Sequence, residues 1–164
     1  MSTDEDIPPQ VAKRLGYALK RAQHALRTRM DDVLRPLGLT TPQYSVLSAI
    51  EAEPGISNAR LARATFVTAQ AMQGVLVNLE RDGLVVRSPD PHHGRVLKAE
   101  LTAEGVVRLE RAHDAVRVVE DVLVTSFGEA AAEVATSLTR CAVNLGRDLA
   151  GPSGLSADGP QTTP

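Results

Sequence analysis

Residues 56–101 read ISNARLARATFVTAQAMQGVLVNLERDGLVVRSPDPHHGRVLKAEL, and this stretch decides the fold. Ser57 caps a short helix over about 58–64 that carries Leu61 and Ala62. After Phe66 and Val67, Thr68 caps a longer helix, and Gly83 supplies the left-handed residue that ends it at Asp82. Leu84-Val85-Val86-Arg87 then reads as a strand by β-branching. Ser88 to Gly94 holds two prolines and a glycine and reads as a long turn, and Arg95 to Leu101 as the returning strand. Helix, turn, helix and β-hairpin in this order form a winged helix-turn-helix.

The flanks are helical. Val11, Leu15, Leu19, Leu26, Met30 and Leu34 recur at helical spacing from Pro9 to Leu34, and Arg35-Pro36-Leu37-Gly38 ends that helix. Thr41-Pro42 reads as an N-cap followed by proline at the first helical position, for a helix carrying Tyr44, Val46, Leu47 and Ile50. Thr102 caps a long helix to about Phe127, and Gly128 breaks it. From about Glu129, Val134, Leu138, Cys141, Leu145 and Leu149 approach a heptad seam, where Cys141 is expected to be buried. Residues 1–8 and the Gly/Pro/Ser-rich 150–164 read as disordered. The expected fold is mainly α with a small β-hairpin wing. A winged helix-turn-helix domain spans 37–102, and helices over 9–36 and 103–149 form a dimerisation platform.

The 164 residues include only four aromatics, Tyr17, Tyr44, Phe66 and Phe127, so Leu, Val, Ala and Met must fill the core. No apolar run reaches the ~20 residues of a membrane span, and the polar N-terminus is not a secretory signal. One cysteine excludes an internal disulfide and suits a cytoplasmic location. The net charge of −2 is uninformative, because nucleic-acid binding needs a local basic footprint. Basic residues do gather early in the chain, at Lys13, Arg14, Lys20, Arg21, Arg27, Arg29 and Arg35. There is no carboxylate pair, Ser/His/Asp set or phosphate loop at usable spacing, so an enzyme is not expected. Nor is a cofactor. His92 and His93 lack further ligands at metal-binding spacing, so no metal site is expected.

The second helix of the motif must show polar groups to base edges while its other side holds the core. Met72, Val75, Leu76 and Leu79 form the apolar side. Gln70 and Gln73 lie one turn apart on another side, and a glutamine amide can pair bidentately with adenine. Ala69, Ala71 and Gly74 are small enough for close approach to a duplex, and Thr68 offers a hydroxyl and helix N-terminal amides to phosphate. Arg95 opens the return strand, placed to enter a minor groove or touch phosphate. Arg87, His92 and His93 could add phosphate contacts. The alternative is a winged-helix protein–protein adaptor that does not read DNA. The polar, small-residue stretch 68–74 speaks against it, since an adaptor would show apolar anchors there.

Three stretches together resemble the MarR (multiple antibiotic resistance regulator) family: LGLTTPQYSVLSAI at 37–50, residues 56–105, and the flanking long helices. The resemblance runs over roughly 10–149. Its most specific parts are Leu79-Glu80-Arg81-Asp82-Gly83-Leu84-Val85, the wing residue Arg95, and Leu101-Thr102 with Gly105. It implies a homodimer on a pseudopalindromic operator, usually as a repressor, often released by a small aromatic or lipophilic effector. It also implies an effector pocket between platform and winged lobe, for which Tyr17, His24, Tyr44 and His113 are the candidates. One departure is visible in the wing, where His92-His93-Gly94-Arg95 replaces the family's usual acidic residue and arginine before the tip arginine.

Overall fold

A computed structural model of the chain describes residues 8–89 and 97–149. These fall into two compact units, one ending at Asp121 and one beginning at Val122. The first holds helices α1 (Pro9–Ala12), α2 (Leu15–Leu34), α3 (Thr41–Ala52), α4 (Asn58–Ala64) and α5 (Ala69–Arg81), with strands β1 (Ile56–Ser57), β2 (Val85–Pro89) and β3 (Leu97–Leu101). Helix α6 (Ala103–Phe127) begins in it and crosses into the second unit, which continues with α7 (Ala131–Leu149).

Local chemistry sets most of the boundaries. The single helix expected from Pro9 is interrupted at Lys13-Arg14, and Arg14 is extended at ψ 130. The start of α3 shifts one residue from expectation. Thr40, not Thr41, is the N-cap, in a reciprocal capping box with Gln43. Thr41 instead donates its hydroxyl to Asp31 Oδ1 at 2.6 Å, which ties the end of α2 to the start of α3. Ser57 and Thr68 cap α4 and α5 through the backbone N–H groups of Arg60 and Ala71. Gly83 turns the chain at φ +70.

The sheet has three antiparallel strands in the order β1-β3-β2. β1 was not expected from the sequence, because two residues carry no period of their own. Its pairing with β3, Ile56 to Ala99, creates it. β2 pairs with β3 from Val85–Leu101 to Pro89–Leu97. Pro89 is tolerated because β2 is an edge strand. The connection 90–96, with His92, His93, Gly94 and Arg95, lies outside the described residues.

Leu34, Leu47, Ile50, Leu61, Met72, Leu76, Leu79 and Leu109 are fully buried together in the first unit. No aromatic joins the buried set, as the composition requires, and Ile50 and Ile56 add isoleucine to the expected types. The apolar side of α5 is confirmed at Met72, Leu76 and Leu79, with Val75 half-buried. In the second unit the expected burial of Cys141 is corrected: the thiol is exposed. Leu138, Val143 and Leu145 of α7 are exposed as well.

The winged lobe joins α6 at one tight junction. Thr102 donates its backbone N–H to Leu84 O at 3.1 Å and its hydroxyl to Gly83 O at 2.7 Å, and accepts the Gly105 N–H at 3.0 Å. A Cβ on Gly105 would lie 2.0 Å from the Leu84 carbonyl oxygen, so only glycine lets α6 approach the strand backbone this closely. Gly105→Ala is therefore expected to destabilise the protein by about 1–3 kcal/mol or more. Chemical denaturation would measure this, and an unchanged midpoint would contradict the close approach.

Candidate nucleic-acid interface

Helix α5 divides its residues between two roles. Met72, Leu76 and Leu79 anchor it in the core, whereas Thr68, Ala69, Gln70, Ala71, Gln73 and Gly74 are all exposed along its first two turns. Thr68 Oγ1 accepts the Ala71 N–H at 3.1 Å, which leaves the hydroxyl proton for an external acceptor. A Cβ on Gly74 would meet nothing within 4 Å. The fold itself thus gives no reason for a glycine there, although mid-helix glycine costs about 1 kcal/mol relative to alanine. Phe66, in the turn between α4 and α5, is 94% exposed and sits at φ +57. Sequence reading passed over it, because a turn residue's dihedral leaves no trace in periodicity.

Arg87, named above as able to add a phosphate contact, has a side chain only 10% exposed, and its guanidinium makes bonds within the lobe. Nη2 pairs with Glu80 Oε2, and Nη1 donates to Gln73 Oε1 at 3.0 Å. Arg87 thus braces β2 of the wing against α5. Glu80 is the partner the sequence reading missed, since the contact crosses from strand to helix.

The hydrogen bond and charge of Arg87 hold the Glu80 carboxyl below its ordinary value of 4.5, against opposing desolvation. A depressed carboxyl stabilises the fold fully above 4.5, and that contribution fades as pH falls through the folded value. Glu80→Gln keeps an acceptor and removes the charge. It should cost about 1–2 kcal/mol near neutrality. Urea titrations across pH should show the difference from wild type closing as pH falls below 4.5, and a pH-independent gap would refute the brace.

Behind α5 lies a cavity of about 320 Å³ between α2, α3 and α5, with Glu120 of α6 also lining it. Leu26, Met30, Val46, Met72 and Val75 supply apolar walls, and Gln23 and Arg27 supply polar groups. The volume suits a small organic molecule. The Arg27 guanidinium is 65% exposed and only loosely paired, 4.0 Å from Asp31.

Tyr17, His24, Tyr44 and His113, the residues expected at an effector pocket, do not line this cavity. Tyr44 Oη is 3.0 Å from His113 Nδ1, and His113 Nε2 is 3.0 Å from Glu51 Oε2, so these two residues are engaged in a relay from α3 to α6. Tyr17 is half-buried on α2, and His24 is exposed there. Among the described residues no group of three or more His, Cys, Asp or Glu could hold a metal ion, and no helix is long and apolar enough to cross a membrane.

The profile described as MarR family matches residues 37–96. The HTH-type transcriptional repressor Rv2887 of Mycobacterium tuberculosis (strain ATCC 25618 / H37Rv) is 43% identical over 106 residues, 65% of this chain and 76% of that protein. A solved structure of Rv2887, a MarR family protein in complex with salicylic acid, aligns at 35% identity and a TM-score of 0.59. That alignment covers 86% of this chain and 98% of the other. The chain belongs to the MarR family. This MarR-family protein is also similar to the transcriptional repressor CouR bound to a 23-mer DNA duplex, at a TM-score of 0.75 and 30% identity over 82% of this chain and 96% of that one. It is a transcriptional regulator of the winged helix-turn-helix type and not an enzyme.

Proposed function

We propose that the protein is a homodimeric repressor that reads a pseudopalindromic operator in the cytoplasm and is released by a small aromatic acid. The observation that carries this reading is the division of α5 into two faces. Its exposed first turns are polar or small, and its opposite side, at Met72 and Val75, borders the cavity. One rigid helix thus has an operator-facing side and an effector-facing side.

In this reading each α5 enters a major groove, with the two helices about one helical turn (~34 Å) apart. Gln70 and Gln73 meet base edges, and Thr68 and the N–H groups of the first turn meet phosphate. Ala69, Ala71 and the unforced Gly74 leave room for the duplex. Arg95 and His93 of the wing contact flanking backbone or the minor groove. Residues 9–36 and 103–149 provide the dimerisation platform, and the exposed apolar residues of α7 suit a second copy of the chain. Rv2887 and CouR, solved with salicylic acid and with a DNA duplex respectively, support both halves of this reading.

For the effector, Arg27 at the rim of an apolar cavity would pair with a carboxylate while the ring fills the space among Leu26, Met30 and Met72. A ligand there changes operator affinity only if it favours one position of α5 over another.

A mobility-shift titration on operator DNA tests this with salicylate as the probe. Salicylate should release wild-type protein, whereas Arg27→Met should bind DNA normally and resist release. Arg95→Ala should weaken binding to all sequences and lower the salt slope by about 1. A salicylate response undiminished in Arg27→Met would refute the cavity assignment, and an unchanged affinity and salt slope in Arg95→Ala would refute the wing contact.

A further inference from the structure

We infer that Arg87 sharpens base readout at one operator position by holding the Gln73 side chain in place before DNA arrives, an inference that rests on the groove contact proposed for α5. Gln73 is exposed, and an exposed glutamine ordinarily samples many rotamers. Here its amide oxygen accepts an N–H of Arg87 Nη1 at 3.0 Å. The donor is itself held. Nη2 of the same guanidinium pairs with the Glu80 carboxylate, and the Arg87 side chain is 10% exposed. The guanidinium is a rigid plane, so its two outer nitrogens cannot move independently, and the Glu80 pair fixes the point to which Gln73 bonds. The amide oxygen keeps a second lone pair, and the amide nitrogen keeps both hydrogens. Gln73 therefore stays able to accept from and donate to a base edge while its orientation is set.

Two further observations point to this use. Arg87 is a costly residue where it stands, because its Nε is buried with no partner among the described residues. An apolar side chain would brace the strand with less desolvation. What only a guanidinium supplies there is the fork that reaches Glu80 and Gln73 at once. Gln70, by contrast, is exposed and makes no hydrogen bond among the described residues. It must be ordered when it binds, whereas Gln73 is ordered already. The rotamer freedom that a long side chain loses at an interface is worth about 2- to 12-fold in affinity, and Arg87 removes much of that loss for Gln73. A fixed amide also rejects a wrong base more strictly, since it cannot turn toward another partner without breaking the Arg87 bond. Arg87 is thus a positioning residue, acting on the base pair through Gln73.

The test is a competition assay on the full-length protein with an operator selected from random duplexes, each position varied through the four base pairs. Gln73→Ala and Gln70→Ala locate the positions whose preferences the two side chains set. Arg87→Lys keeps a cation for Glu80 but lacks the fork that joins Glu80 to Gln73, and Arg87→Met removes the donor altogether. Both should lose about 2- to 12-fold of discrimination at the Gln73 position and leave the Gln70 position unmoved. In the Gln73→Ala background neither should change any base preference further, since the group to be positioned is gone. Nitrogen relaxation of the two side-chain amides in DNA-free wild type should find Gln73 the more restricted of the pair.

Unchanged discrimination at the Gln73 position in both Arg87 variants overturns the inference and leaves the groove contact standing. Equal losses at both glutamine positions, or losses that persist in the Gln73→Ala background, reduce Arg87 to a structural brace and overturn it too. If Gln73→Ala alters no position, the groove contact of this residue fails and the inference with it. Should the Arg87 variants not fold, the relaxation measurement on wild type decides alone, and equal mobility of the two amides overturns the inference.

Discussion

The Leu84 carbonyl is the constraint on which the winged lobe depends. It sits where the chain leaves the turn at Gly83 and enters β2, and it accepts the backbone N–H of Thr102 just as the chain leaves β3 for α6. Gly105 lets the first turn of α6 lie directly against it. Three elements thereby share one reference point: the end of α5, the base of the wing, and the start of α6. The Thr102 hydroxyl adds bonds in both directions, to Gly83 O and from Gly105 N. None of these groups touches an external partner in the proposed reading, yet they fix the angle at which α5 and the wing are offered together.

Arg87 extends the same coupling two residues further along β2. Pairing with Glu80 holds the strand against the middle of α5, and the bond to Gln73 reaches its exposed side. Burying a guanidinium is tolerable only with its hydrogen bonds largely made. Here two of its nitrogens each make a hydrogen bond, and Nε is buried with no partner among the described residues. A hydrophobic residue would fill this place with less desolvation. What arginine provides instead is a directional link, since its fork geometry fixes Gln73 and Glu80 relative to each other.

The sequence made legible what is local. Ser57, Thr68 and Gly83 mark helix ends through bonds within a few residues, and the structure places them where their chemistry predicts. The alternation of Met72, Leu76 and Leu79 gave the buried side of α5 for the same reason. The misplaced α3 start shows the limit, because Thr40 and Thr41 are equally good caps, and Asp31, ten residues earlier, engages Thr41. Strand β1, the Arg87–Gln73 bond and the Tyr44–His113 pair, 69 residues apart, exist only through tertiary contact. Arginine in a wing strand looks like a phosphate ligand until its partner is known. Cys141 failed differently, since an apolar seam predicts burial without saying whether the covering surface belongs to the same chain.

The cavity gives α5 its second constraint. Met72 and Val75 line it, and Gln73 lies between them in sequence on the exposed side. A helix transmits displacement along its length far better than it absorbs it, so a molecule wedged against Met72 must either fit the existing position of α5 or move its exposed face. The lobe resists such movement at Leu84, beyond the C-terminal end of α5, and at Arg87, which holds Glu80 near that end and Gln73 in the second turn. Among the described residues, the first turn of α5, before Gln73, has no equivalent bond to the strands of the wing. Displacement of that first turn is the least opposed, and the proposed contacts of Thr68 to phosphate and of Gln70 to a base lie there, whereas Gln73 is tied to Arg87. Release of DNA then requires no unfolding of the lobe, only a tilt of its least-tethered turn.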